Sequence, residues 1–212
     1  MFFTLYQLSH TNRSLMVTGR TKITIEGYPR SANTYAVYAF RQVNRLAWNE
    51  IAHHLHVQAQ VYRSISRGIP VILLIRHPRD AVRSMLVRHD FIPLQDALRD
   101  YFRFYEDLYT LHEHFVVAPF DKVTRDYGSI IDRVNQRFST RFNRFPDDDE
   151  NARKEVFQAI DQRNRSQDEG LLTHLYRPHE NKDRLKEAIV IDDDNPDYRR
   201  ALDIYRKYIE LP

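Results

Sequence analysis

Apolar positions along this chain follow two alternating rhythms. Lys22-Ile23-Thr24-Ile25-Glu26-Gly27-Tyr28 is rich in β-branched residues and ends at Pro29, which predicts a strand. From Asn33 to Ala47, apolar residues recur at helical spacing: Tyr35, Val37, Tyr38, Phe40, Val43 and Leu46. Ile51 to Leu55 reads as a short strand, and Gln58 to Ser66 as a helix stopped by Gly68 and Pro70. Pro70-Val71-Ile72-Leu73-Leu74-Ile75 is a continuous apolar run, the pattern of a central parallel strand buried on both faces. Helical spacing resumes from Pro78 through Leu86. It continues on one stripe through Leu94, Leu98, Tyr101, Phe102, Tyr105 and Leu108. Phe115 to Pro119 is another buried-strand candidate and Tyr127 to Phe138 another helix. Strands alternating with helices predict an α/β fold, a central and mostly parallel sheet flanked by helices.

After Phe145 the pattern changes. Asp147-Asp148-Asp149-Glu150 and Asp192-Asp193-Asp194 bracket a polar region whose one glycine is Gly170. Helices and a mobile cover segment are expected over about 140–195, closed by a helix from Pro196 to Leu211. The expectation is a single domain over 1–212 that carries a cover. The acidic triplets lack the spacing of a calcium-binding loop and read as solvated loops.

Composition narrows the chemistry. The 212 residues are 42% hydrophobic, enough for a globular interior. Lys plus Arg number 32 against 29 Asp plus Glu, a formal charge of +3, which suits a local anion site better than a nucleic-acid-coating surface. The chain has no cysteine, which excludes disulfides, thiolate nucleophiles and Cys-ligated zinc. The apolar opening Met1 to Leu8 is short and soon followed by Ser9, His10, Asn12 and Arg13. It lacks the marks of a signal peptide, and no stretch reaches membrane-spanning length, so a cytoplasmic protein without a membrane span is expected.

Two strand-to-helix junctions carry the chemistry. In Gly27-Tyr28-Pro29-Arg30-Ser31-Ala32-Asn33-Thr34-Tyr35, the first amides of a helix offer unpaired donors to an anion. Ser31, Asn33 and Thr34 add polar side chains and Arg30 a full charge. GxxxxGK[ST] is absent, so this is not a Walker A loop; a plain capped helix is the alternative reading. In Arg76-His77-Pro78-Arg79-Asp80-Ala81-Val82-Arg83-Ser84, Arg76 ends the predicted central strand, where open α/β sheets bind ligands. Pro78 suits the first helical turn. Two such junctions in one chain suit a ligand with two separated phosphate groups.

Pro29-Arg30-Ser31-Ala32-Asn33-Thr34-Tyr35 resembles the 5′-phosphosulfate loop of sulfotransferases that use 3′-phosphoadenosine 5′-phosphosulfate (PAPS), Pro-Lys-Ser-Gly-Thr-Thr-Trp. Ile75-Arg76-His77-Pro78-Arg79-Asp80 through Ser84 resembles their 3′-phosphate motif. Ala52-His53-His54-Leu55-His56 is similar to their Lys-Thr-His-Leu-Pro segment, at a similar distance before Arg76. The resemblance covers roughly residues 22 to 140. It implies a P-loop-like sulfotransferase fold and an enzyme that moves a sulfuryl group from PAPS to a hydroxyl or amine, leaving adenosine 3′,5′-bisphosphate (PAP). By it, Arg30 contacts the phosphosulfate, with Ser31, Ala32, Asn33 and Thr34 in the cradle. Tyr35 stands for a tryptophan near the adenine, and Arg76 and Ser84 hold the 3′-phosphate. His54 is the general base, and no metal is needed. The acceptor would be a small molecule, lipid or carbohydrate, not a nucleic acid; its identity and the oligomeric state are not legible.

The sequence departs from the family in three places. Arg30 replaces the usual Lys, Ala32 replaces a glycine, and the C-terminal Arg-Lys-Gly-x-x-Gly-x-x-Lys segment is missing, with Arg177 to Lys186 the nearest basic stretch. Other readings stand beside this one. His54 and His56, two apart on a strand, would share a face as zinc ligands do, but no third ligand is identifiable. Ile75-Arg76-His77 resembles the Arg-His-Gly start of histidine phosphatases, although Pro78 replaces the glycine. A nucleotide-binding module without catalysis is the third alternative. The run Tyr101-Phe102-Arg103-Phe104-Tyr105 fits core and interface better than base stacking.

Overall fold

The computed structural model describes residues 15–167 and 180–211. Four strands form one all-parallel sheet: β1 (Ile23–Gly27), β2 (Ile51–His53), β3 (Val71–Ile75) and β4 (Val116–Pro119), in the order β2-β1-β3-β4. The helices are α1 (Asn33–Asn44), α2 (Gln58–Ile65), α3 (Pro78–Arg88), α4 (Leu94–Tyr109), α5 (Phe120–Arg125), α6 (Tyr127–Phe138), α7 (Glu150–Gln167), α8 (Glu180–Glu187) and α9 (Pro196–Ile209).

The pleat sorts buried side chains onto two faces. Ile23, Ile25, Ile72, Leu74, Val116 and Ala118 pack in one core with α1, α6 and α7. Val71, Leu73, Ile75 and Val117 pack in the other with α2, α3, α4 and α9. Both faces are covered, which is why β3 reads as an unbroken apolar run. On β1 the second face is polar instead. Thr24 Oγ1 meets Ser64 Oγ at 2.7 Å, and Glu26 accepts from Gln60 Nε2 at 2.8 Å, both on α2.

Chain direction then fixes where the loops open. The connection from β1 to β2 runs through α1 on one face, and that from β2 to β3 through α2 on the other, passing over β1. Keeping parallel crossovers one-handed requires this change of face when the order reverses. The strand order therefore switches between β1 and β3, and the loops after these strands diverge to opposite faces.

Several expected boundaries move by a residue or two. β2 stops at His53 rather than Leu55, because His54 and His56 both take left-handed backbone conformations, at φ 58° and φ 54°. The strand face that His54 and His56 were to share does not exist. The acidic triplets lie mostly at the surface, yet two of their members cap helices. Asp147 accepts from Tyr127 and Gly128 N–H at 2.7 and 2.8 Å, starting α6, and Asp149 from Asn151 N–H at 2.8 Å, starting α7. Within the segment expected as a cover, Phe145, Ala152, Val156 and Ile160 are buried in the first core and Ile191 in the second. The opening Met1 to Leu8 and residues 177–179 of the basic stretch lie outside the described residues. No helix among the described residues is long and apolar enough to cross a membrane.

Candidate functional site

Gly27 and Leu74 are register partners at the carboxyl ends of β1 and β3. The two strands come so close here that a Cβ on Gly27 would lie 2.3 Å from Leu74 O. Just beyond, Tyr105 Oη, from α4, donates to Leu74 O at 2.7 Å and accepts from Tyr28 N–H at 3.2 Å. Tyr101 Oη, one turn earlier, donates to Arg76 O at 2.6 Å. Two hydroxyls at helical spacing thus satisfy backbone groups that leave the ladder, and they set the trajectory of both loops.

The two arginines meet across this gap. Arg76 Nη1 donates to Arg30 O at 3.2 Å, and Arg30 Nε donates to Ser84 Oγ, on α3, at 3.0 Å. Arg76 is partly buried, its guanidinium carbon lies 4.1 Å from the centroid of the Phe120 ring, and its buried Nε has no hydrogen-bond partner. Desolvation lowers its pKa, with Asp80, Asp121 and Asp183 near enough to oppose that only in part. Arg76 makes no salt bridge among the described residues. A desolvated cation with an unused donor is costly unless an anion completes it.

The first loop reaches this point through unusual backbone. Arg30 and Ala32 are both left-handed, each at φ 69°. Ala32 is the cap residue of α1 and gives no side-chain cap, and the first turn of α1 contains no acidic residue. Asn33 does not cap either; its Nδ2 donates to Tyr28 O at 3.0 Å. The amino-terminal end of α1 therefore keeps its electropositive character. Ser31 Oγ is buried beside the Tyr105 hydroxyl without completing a hydrogen bond, so this side chain faces the core tyrosine.

A histidine cluster lies beside the first loop. Thr34 Oγ1 and His54 Nε2 are 3.0 Å apart, and His54 Nδ1 lies 2.6 Å from His53 Nδ1. Desolvation, then the neighbouring His53 and His56, hold His54 well below the usual imidazole range. His53 is almost fully buried, and desolvation pushes it down to about 3. His56 Nδ1 donates to Gly27 O at 2.7 Å; desolvation and Arg30 push it down to about 4. The left-handed turn that carries these residues is clamped from below. The fully buried Glu26 carboxylate accepts from Leu55 N–H at 2.9 Å and His56 N–H at 3.1 Å. Burial drives its pKa up to about 7 despite these donors.

The structure thus brings Arg30, Arg76 and Ser84 into one contact group and Thr34 and His54 into another, with Arg30 close enough to His56 to act on it electrostatically. Tyr35 stands apart. Its ring packs against Phe157 and Phe145, with centroids 5.6 and 6.2 Å away, on the α7 side of α1. Glu26, Gln60, Tyr101 and Tyr105 shape the site and were not anticipated as site residues. The legible signal was Glu26, a lone carboxylate within a buried strand. Two surface concavities, of about 380 and 240 Å³, include none of the predicted site residues. Among the described residues, no group of three or more His, Asp or Glu side chains is placed to hold a metal ion. Compared with known protein families, with characterised proteins and with solved structures, the chain matches none.

Proposed function

We propose that this chain binds PAPS at the β1–β3 crevice and transfers its sulfuryl group to a hydroxyl or amine, on a P-loop-like sulfotransferase fold. One observation carries the reading. Arg30 and Arg76 come from different loops on either side of the strand-order switch, and they meet there, Arg76 on Arg30 O and Arg30 on Ser84. Open α/β sheets bind ligands at that position.

The donor set fits a bisphosphate. Arg76, with its unused buried Nε, and Ser84 hold the 3′-phosphate; the uncapped start of α1 receives the 5′-phosphosulfate. Arg30 spans the two, since its backbone belongs to the first loop while its guanidinium reaches Ser84. An anion enters by replacing the contacts these side chains make with Ser84 and with Arg30 O. PAPS supplies a sulfuryl group whose S–O bond to phosphate breaks, its electron pair leaving on the phosphate oxygen, as the acceptor oxygen or nitrogen gives its pair to sulfur. The protein's part is to neutralise charge on that phosphate and to take up the acceptor proton at a neutral imidazole.

Calorimetry tests this with adenosine 3′,5′-bisphosphate, adenosine 5′-monophosphate and inorganic phosphate. The reading requires stoichiometric bisphosphate binding at least about tenfold tighter than the monophosphate, the scale of one charged hydrogen bond. Equal affinity for the two nucleotides overturns it. Incubation with PAPS and a panel of phenols, amines and sugars, followed by mass spectrometry, then separates an enzyme from a silent module. Hydrolysis of a phosphate monoester that is lost in His77→Ala would assign the crevice to a phosphohydrolase instead.

A further inference from the structure

We propose that His56, rather than His54, takes the acceptor proton, with Gly27 O and Glu26 holding its ring. This rests on the sulfuryl-transfer reading of the crevice.

Hydrogen-bond accounting distinguishes the two histidines. His54 has both ring nitrogens engaged, Nδ1 with His53 at 2.6 Å and Nε2 with Thr34 at 3.0 Å. His53 Nε2 is buried without a partner, so the less costly state leaves a bare lone pair there and puts the His53 proton on Nδ1. His54 Nδ1 then accepts, and His54 carries its own proton on Nε2, donated to Thr34. In that state His54 has no lone pair to offer.

His56 is arranged in the opposite sense. Gly27 O is an acceptor only, so the 2.7 Å contact fixes the His56 proton on Nδ1. Nε2 therefore carries a lone pair and points away from the strand end. It has no hydrogen-bond partner among the described residues, and the side chain is 18% exposed. The residue is left-handed at φ 54° and is tied there by Glu26 Oε2 on its own N–H, a strained conformation that the surroundings enforce. Glu26 Oε2 also lies 3.7 Å from Nδ1, so its carboxyl group stands beside the ring.

The proton balance is simple. The acceptor O–H or N–H proton moves to His56 Nε2, which gives an imidazolium that keeps its Nδ1–H on Gly27 O. Arg30 is the cation that acts on this ring. A phosphosulfate on Arg30 offsets that cation, so His56 becomes a better proton acceptor when the donor is bound.

Diethyl pyrocarbonate, which acylates accessible imidazole lone pairs, tests the assignment on the wild-type protein, with sites mapped by mass spectrometry. His56 is expected to react on the order of tenfold faster than His53 or His54, whose nitrogens are buried or hydrogen-bonded. Adenosine 3′,5′-bisphosphate is expected to protect His56. With 4-nitrophenol as probe acceptor, H56Q should lose about 10²–10⁴-fold in turnover while bisphosphate affinity holds. His54 labelled before His56, or an H56Q enzyme as active as wild type, overturns the proposal. If the bisphosphate does not bind wild type, the nucleotide reading fails, and the labelling order still decides which ring nitrogen is open.

Discussion

Arg76 donates through Nη1 to the backbone oxygen of Arg30, 3.2 Å away, so the loop after β3 holds the loop after β1 directly. The contact offsets what would otherwise be repulsion. One guanidinium meets the negative end of a peptide dipole, while the other turns to Ser84. The two positive side chains are thereby linked through one backbone oxygen and one hydroxyl.

Removing Arg76 should therefore separate binding from stability. Arg76→Ala should weaken adenosine 3′,5′-bisphosphate binding by about 1.5–3 kcal/mol, measured by calorimetry. Arg76→Met removes a desolvated cation and keeps apolar bulk against Phe120, so unfolding in urea should show equal or greater stability. Lower stability with unchanged affinity would make Arg76 structural.

Gly27 sets how closely β1 and β3 approach where the two loops begin. Its missing side chain lets β1 approach β3 where a Cβ would meet Leu74 O at 2.3 Å and Leu74 Cβ at 2.8 Å. Backbone cannot swing aside as a flexible side chain does, so Gly27→Ala should cost roughly 1–3 kcal/mol, in the manner of an overpacked core. Thermal unfolding reads the cost. Because both loops start here, bisphosphate affinity should fall with it.

Much of the fold was legible because apolar runs and helical stripes mark buried elements whatever their neighbours. β3 and the stripe of α4 were read directly from that pattern. The site was legible only as two basic loops. Their meeting depends on the strand order, which no local pattern encodes. Tyr101 and Tyr105 were read as core, which their rings are, but periodicity says nothing of where a hydroxyl ends. The strand pattern overruns β2 because His54 and His56 alternate as strand residues do, while Glu26, nearly thirty residues earlier, accepts from Leu55 and His56 N–H and holds a left-handed turn. Asp147 and Asp149 were read as solvated because helix caps and exposed acids share one composition.

Ala32 provides a stability test at the loop itself. It is left-handed at φ 69°, a conformation that costs an L-residue roughly 1–2 kcal/mol and glycine almost nothing. Part of that gain is lost to the greater freedom of glycine in the unfolded chain, so Ala32→Gly should stabilise by about 0.5–1 kcal/mol in urea unfolding. Ala32→Val, β-branched at the same φ, should destabilise. A glycine variant less stable than wild type would mean that the methyl group packs usefully where it lies.

The Glu26–His56 pair makes stability depend on pH in a way one substitution can isolate. Burial raises Glu26 from 4.5 to about 7, so the unfolded chain releases this proton first and stability falls as pH rises through that window. His53 and His56 act in the other direction. Burial lowers them from 6.5 to about 3 and about 4, so the unfolded chain binds their protons first and stability falls as pH drops below 6.5. Between 4.5 and 6.5 Glu26 cancels the slope of one histidine, and the others, His54 included because burial holds it well below 6.5, are left unopposed. Glu26→Gln removes the cancelling group. Whatever the new amide costs at every pH, the rise in stability over this window should steepen by about 1.4 kcal/mol per pH unit. Urea titrations at half-unit steps measure that slope, and a curve merely displaced parallel to wild type would mean that Glu26 is ionised in the fold as it is in water. The direction follows from the buried ladder of contacts Gln60–Glu26–His56, where a carboxyl group is kept in the core to hold a strained turn.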